Sequence, residues 1–118
     1  MTSNVIVEKS KSFALSVIEL YKDLSENKRE YVLSKQLLRS GTSIGANVKE
    51  AIRGQSKPDF YSKMNISLKE ASESEYWIEL LYEGGYIEYE SYTQLYDSCQ
   101  ELIRILVAIT KKQNKNDK

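Results

Sequence analysis

The sequence has no histidine, a single cysteine, a single proline and five glycines. The missing imidazole removes the side chain most often used as a general base and as a metal ligand. Di-metal centres in helical bundles pair Glu with His three residues apart, so carboxylates at helical spacing cannot complete such a centre here. Cys99 has no partner for an intramolecular disulfide. No phosphate-cradling glycine loop and no nucleophile accompany Glu50, Glu70 or Glu73, which would be the obvious acid–base candidates. The expectation is a protein with no catalytic residues, metal, cofactor or small-molecule substrate.

Long apolar runs are also missing. The longest near the C-terminus, Ile103 to Ile109, is interrupted by Arg104 and falls far short of the roughly 20 residues that cross a bilayer. The opening stretch, MTSNVIVEKSKSF, has no secretory-type apolar core, so a cytoplasmic protein with no membrane partner is expected. Charge of a single sign is absent too: 17 basic residues balance 17 acidic ones. Attraction to a polyanion must then come from a local patch.

What the chain does contain is apolar residues at steps of three and four. Ile6, Phe13, Val17, Leu20 and Leu24 line one face of a first helix; Leu33, Leu37, Gly41, Ile44, Val48 and Ala51 do so on a second. Phe60, Met64, Leu68, Ala71, Ile78 and Leu81 form a third stripe, into which Glu75 intrudes and for which it needs a partner. Tyr92, Leu95, Cys99, Leu102, Leu106 and Ile109 form the most regular seam. Ser56, Pro58 and Asp59 mark a helix start, Gly84 and Gly85 a stop, and Ser91 with Gln94 a capping box. The weak point is Ser40 to Ala46, poor in helix propensity. It is either a site of close helix approach or a loop.

These segments predict one domain over residues 1–118, with helices at about 5–24, 30–54, 57–83 and 89–112 and a frayed tail at 113–118. Short connections between rods of similar length make consecutive helices antiparallel. The fold class is therefore all-α, an antiparallel up-down-up-down four-helix bundle, since no alternation of period two argues for strands.

Two features are not needed by a simple bundle. Ser43, Asn47, Glu50 and Gly54 run beside the core stripe of the second helix, and Glu70, Glu73 and Trp77 flank that of the third. They are either solvated surface or rows facing a neighbouring helix or subunit. Nine tyrosines and a tryptophan are too many for a narrow core; such rings serve protein interfaces or stack on unpaired bases. Charge is uneven as well: residues 1–56 hold nine Lys/Arg and six Asp/Glu, residues 57–118 eight and eleven. Lys28, Arg29, Lys35, Arg39, Lys49 and Arg53 gather on the second helix and its approach, a candidate strip for nucleic-acid contact.

The run S-I-G-A-N-x-x-E-A at Ser43 to Ala51 and the run K-E-A-x-E-x-x-Y-W at Lys69 to Trp77 resemble the bacterial four-helix bundle family first noticed as proteins encoded within intervening sequences of large-subunit (23S) rRNA genes. That family is related to the accessory variability proteins of diversity-generating retroelements. The resemblance implies a homopentameric ring. It also implies that Ser43, Asn47, Glu50, Lys69, Glu70, Glu73, Tyr76 and Trp77 take part in packing within or between subunits. In the retroelement relatives a basic ring binds nucleic acid. The expectation is a non-enzymatic homo-oligomer that binds RNA or a nucleic-acid-handling protein; the alternative is a protein–protein scaffold or accessory subunit that binds no nucleic acid.

Overall fold

Apolar side chains spaced at three and four can leave water together only on one side of a helix, and the chain uses this device four times. The computed structural model describes residues 2–116, with side chains described from residue 5 to residue 113. It contains α1 (Thr2–Asn27), α2 (Val32–Ile52), α3 (Lys57–Glu83) and α4 (Tyr89–Asn116), and no strand among the described residues. Partners run in opposite senses along neighbouring rods. Ser10 lies against Gly45 and Val17 against Gly41 on α1 and α2. Ser40 meets Ser74 and Glu50 meets Lys63 on α2 and α3. Cys99 faces Ala71, and Asn65 faces Gln113, on α3 and α4. Lys9 on α1 pairs with Glu101 on α4 at 3.1 Å, closing the square. The result is an antiparallel rod of 50 × 21 × 21 Å.

The core follows the four stripes with informative exceptions. Ile6, Val17, Leu37, Ile44, Met64, Ile78, Leu81, Cys99, Leu102 and Leu106 are almost wholly buried. On α3, however, Phe60 and Leu68 are only half-buried, while Tyr61, Ser67 and Ser74 go inside. Serine succeeds there because each hydroxyl has an acceptor: Ser67 Oγ donates to the Ile44 carbonyl of α2 at 2.9 Å, and Ser74 Oγ to the Glu70 carbonyl at 2.9 Å. Among the described residues no buried side-chain polar atom is left unpaired. Glu75 has its partner in Gln100, whose amide donates to it from α4. Burial, followed by the charge of Glu79, raises the Glu75 carboxyl above its ordinary value.

Residues 40–46 are continuous helix, so the loop alternative falls. A Cβ on Gly41 would stand 3.0 Å from Val17 Cγ2 and 3.4 Å from Phe13 Cε2. The absent side chain is what lets α1 press against α2.

Several boundaries differ from those expected. The second helix begins at Val32, not Glu30, because the Glu30 side chain is occupied as a cap. Its carboxylate accepts from the backbone N–H groups of Val32 and Leu33 at 3.0 Å and of Ser34 at 2.7 Å, meeting donors that have no partner inside the helix. Burial acts to raise the Glu30 carboxyl, but the backbone donors outweigh it and hold the pKa below its ordinary value. Ser56 caps α3 as read, accepting from Asp59 N at 3.2 Å. Gly84 and Gly85 end α3: Gly85 takes φ 85°, and the N–H groups of Gly85 and Tyr86 bond back to Tyr82 and Leu81. Ser91 is not a cap, since α4 already starts at Tyr89. That helix runs on to Asn116, beyond Lys112, after which a frayed tail was expected; residues 117–118 lie outside the described residues.

Candidate nucleic-acid interface

The six cations of the candidate strip do not act as one group. Arg39 is held by acids: its guanidinium donates to Glu70 at 3.4 Å and to Glu73, both on α3. Lys28 Nζ donates to the Tyr86 carbonyl at 2.5 Å, joining the α1–α2 and α3–α4 connections. Arg29 sits in that turn with φ 52°, a left-handed backbone in which a non-glycine residue is uncommon. Lys28, Arg29 and Lys35 stand towards one end of the rod, whereas Lys49 and Arg53 stand towards the other, roughly 20 Å or more away along α2 at about 1.5 Å per residue.

Folding then redistributes the charge. The half of the bundle nearest the α2–α3 connection, comprising residues 5–14, 43–70 and 103–113, carries ten Lys/Arg and four Asp/Glu. The opposite half, residues 15–42 and 71–102, carries five and twelve. A neutral chain is thus a rod with one cationic and one anionic end. Antiparallel packing does this by laying the start of α1, the end of α2, the start of α3 and the end of α4 side by side.

At the cationic end Lys49 stands between two depressions. One, an open cleft of about 710 Å³, is lined by Lys49, Arg53, Lys63, Glu50, Asp59 and Ser62 among others. The other, about 350 Å³, lies between α1 and α2 and is lined by Lys11, Ser10, Thr42, Gly45, Ala46 and Lys49 among others. Lys63 is engaged with Glu50 at 2.9 Å. Lys11, Lys49 and Arg53 make no ion pair within 4 Å among the described residues. Lys11 was not among the expected contacts. In the sequence it is, with Lys9, one of two cations on the polar side of the first half of α1, and only the α1–α2 approach through Gly45 carries it to the groove that Lys49 also lines.

The polar rows find their partners inside the subunit. Ser43 Oγ donates to the Arg39 carbonyl at 2.7 Å, and Asn47 Nδ2 to the Ser43 carbonyl at 2.9 Å. Trp77 Nε1 donates to Glu73 Oε2 at 3.0 Å, the same oxygen that receives Arg39. Glu73 is therefore a hinge point between the α2 cation and the indole. Lys69 is exposed, and Tyr76 is 53% exposed, with its ring centroid 5.2 Å from that of Trp77. Among the described residues no group of three or more His, Cys, Asp or Glu is placed to hold a metal. No helix among them is long and apolar enough to cross a membrane. Cys99 is buried, and burial followed by the charge of Glu75 pushes its thiol up to about 12.

No curated protein matches this sequence. A solved structure from Bacteroides thetaiotaomicron, described as a protein of unknown function from the S23 ribosomal protein family, is similar at 49% identity. The match covers 94% of this chain and 99% of that one with a TM-score of 0.92. The family model for the 23S rRNA-intervening sequence protein matches residues 2–108, taking in the first three helices, most of α4, the glycine-lined α1–α2 contact and the Arg39–Glu73–Trp77 linkage. This chain therefore belongs to the 23S rRNA-intervening sequence protein family.

Proposed function

We propose that this protein is a cytoplasmic, non-enzymatic RNA-binding protein that works as a homopentamer. The observation that carries the reading is the segregation of charge. A cationic end holding Lys11, Lys49 and Arg53 without ion-pair partners offers phosphates a concentrated field that the neutral total conceals. The name of the family, which refers to intervening sequences of 23S rRNA, supports RNA as the polyanion. In a ring of five with parallel rods, five such ends would lie on one face and multiply the number of phosphates neutralised. Each additional contact steepens the salt dependence.

Filter binding to a structured RNA at about 50 and about 200 mM salt tests the first part. The expected result is binding that falls by an order of magnitude or more across that range; no affinity at the lower salt would overturn it. Sedimentation equilibrium tests the second, and a 13.6 kDa species at micromolar concentration would remove the ring.

The tyrosine-rich second half of the chain favours a second reading, a protein–protein scaffold that binds no nucleic acid. Recovery of protein partners without RNA from a nuclease-free pull-down would support that reading against the first.

A further inference from the structure

The anionic end has a chemistry of its own. Residues 71–102 contain eight Asp/Glu and no Lys or Arg. Some of these acids are engaged: Glu73 by Arg39, Glu75 by Gln100, Glu101 by Lys9. Glu79, Glu83, Glu90 and Asp97 have no ion pair within 4 Å among the described residues. Between α3 and α4 at this end four tyrosine rings lie in succession. Tyr82 and Tyr92 are stacked, with centroids 4.3 Å apart and planes at 17°. Tyr96 continues the row from Tyr92 at 5.2 Å, and Tyr89 leans on Tyr82 at 5.9 Å while remaining 66% exposed. Glu79 stands one turn before Tyr82 on α3 and Glu83 directly after it, so carboxylates flank the rings; burial and then the charges of Tyr96, Glu79 and Glu83 raise the Tyr92 phenol above its ordinary value.

Stacked, electron-rich faces beside uncompensated carboxylates repel phosphate and attract a flat cation. Guanidinium suits such a surface better than ammonium, being planar, weakly hydrated and able to stack on a ring while bonding to a carboxylate. We propose that the α3–α4 face captures an arginine-rich segment of a partner protein, with a guanidinium group over Tyr89, the exposed ring of the row, and with Glu79 and Glu83 as counter-charges. A second copy of this chain is a poorer occupant. Its cationic half holds eight lysines and only two arginines, Arg53 just past the end of α2 and Arg104 on α4. The proposal stands independently of the RNA reading, because it uses the opposite end of the rod.

Fluorescence anisotropy with labelled nona-arginine and nona-lysine peptides at about 150 mM salt tests it, a concentration at which distant charges are largely screened. Nona-arginine is expected to bind at least roughly five-fold more tightly than nona-lysine. Tyr89→Ala should bring the two peptides towards parity, and Tyr89→Phe should keep the difference. Glu79→Gln with Glu83→Gln should weaken both peptides by about ten-fold, whereas Glu19→Gln with Glu26→Gln, acids of the same half but on α1, should leave both nearly unchanged. Equal affinity for the two peptides, or equal sensitivity to the α1 pair, would reduce the face to a diffuse negative field and overturn the proposal. Concentration-dependent self-association abolished by Glu79→Gln with Glu83→Gln would also overturn it, by making a second copy the occupant. Loss of RNA binding in Lys49→Ala with retained nona-arginine binding would show that the two ends work separately, as expected; loss of both together would count against the proposal.

Discussion

The hydroxyl oxygens of Ser40 and Ser74 lie 2.8 Å apart and fully buried, a polar link between α2 and α3 inside the apolar core. Ser74 already donates to the Glu70 carbonyl, so Ser40 is the donor between the two. Removing the Ser74 hydroxyl leaves Ser40 with only the Leu37 carbonyl at 3.5 Å. Ser74→Ala should therefore cost about 1 kcal/mol, read as a melting temperature lower by roughly 3–6 °C. Adding Ser40→Ala should cost less than its single-variant value, because the unpaired donor disappears with it.

The two glycines facing α1 should respond differently to Ala. At Gly41 the new methyl meets the branched Val17 side chain at 3.0 and 3.2 Å. The gain of about 1 kcal/mol in helix propensity is expected to be outweighed by overpacking of about 1–3 kcal/mol. At Gly45 the nearest atom is Ser10 Oγ at 3.2 Å, which can rotate away, so propensity should offset the crowding and leave stability nearly unchanged. Urea titration of Gly41→Ala, Gly45→Ala and Gly41→Ala with Val17→Ala separates these terms; relief of the Gly41 defect by the smaller Val17 is expected.

Glu30 ties the stability of α2 to pH. Its folded carboxyl titrates below the ordinary 4.5 because three backbone N–H groups bind the charged form. The stabilisation is complete above the unfolded value and is lost as pH falls through the lower folded value. Glu30→Ala should cost about 1–2 kcal/mol at pH 7, the size of a lost N-terminal cap. Thermal melts of the wild type and Glu30→Gln should converge as the pH falls below the unfolded value and through the lower folded one.

The four stripes were legible because apolar spacing is set by helix geometry, which acts within a few residues. Phe60 and Leu68 were over-read as core, and Ser67 and Ser74 under-read, because hydropathy carries no information about whether a carbonyl on the next helix waits for a hydroxyl. Glu30 looked like the first turn of α2 for a similar reason: a carboxylate that folds back as a cap has the same composition as one inside the helix. The basic strip was half legible. Lys49 and Arg53 stand at the cationic end, but the sequence could not reveal that Arg39 is matched by acids 31 and 34 residues away, nor that Lys11 joins Lys49. Those facts belong to tertiary pairing.

If the cationic end holds RNA, position along the rod should decide the effect of removing charge. Lys11→Ala, Lys49→Ala and Arg53→Ala together should lower the slope of log K against log salt by about 2 on a single-stranded RNA, at about 0.7 per lost phosphate contact. Lys28→Ala, Arg29→Ala and Lys35→Ala, an equal loss of charge at the opposite end, should change it little. Filter binding across a salt series distinguishes the two sets.

Cys99 should be chemically silent in the folded protein. Its thiol is enclosed, donates to the Ala71 carbonyl at 3.2 Å and titrates near 12, so almost no thiolate exists at neutral pH. Labelling by an aromatic disulfide reagent should proceed only through opening of the core. Its rate should rise in step with destabilisation in Ser74→Ala and Gly41→Ala.

Opposite charge at the two ends of a 50 Å rod has a kinetic meaning that a zero total hides. Such a molecule is a large electric dipole, and a polyanion exerts torque on it before it exerts much net pull. Encounters at low ionic strength then begin already aligned, lysine end leading, with the carboxylates trailing outward. As salt shortens the Debye length below the separation of the ends, that alignment is lost first. The orientation of arrival should therefore fail before the contacts themselves do.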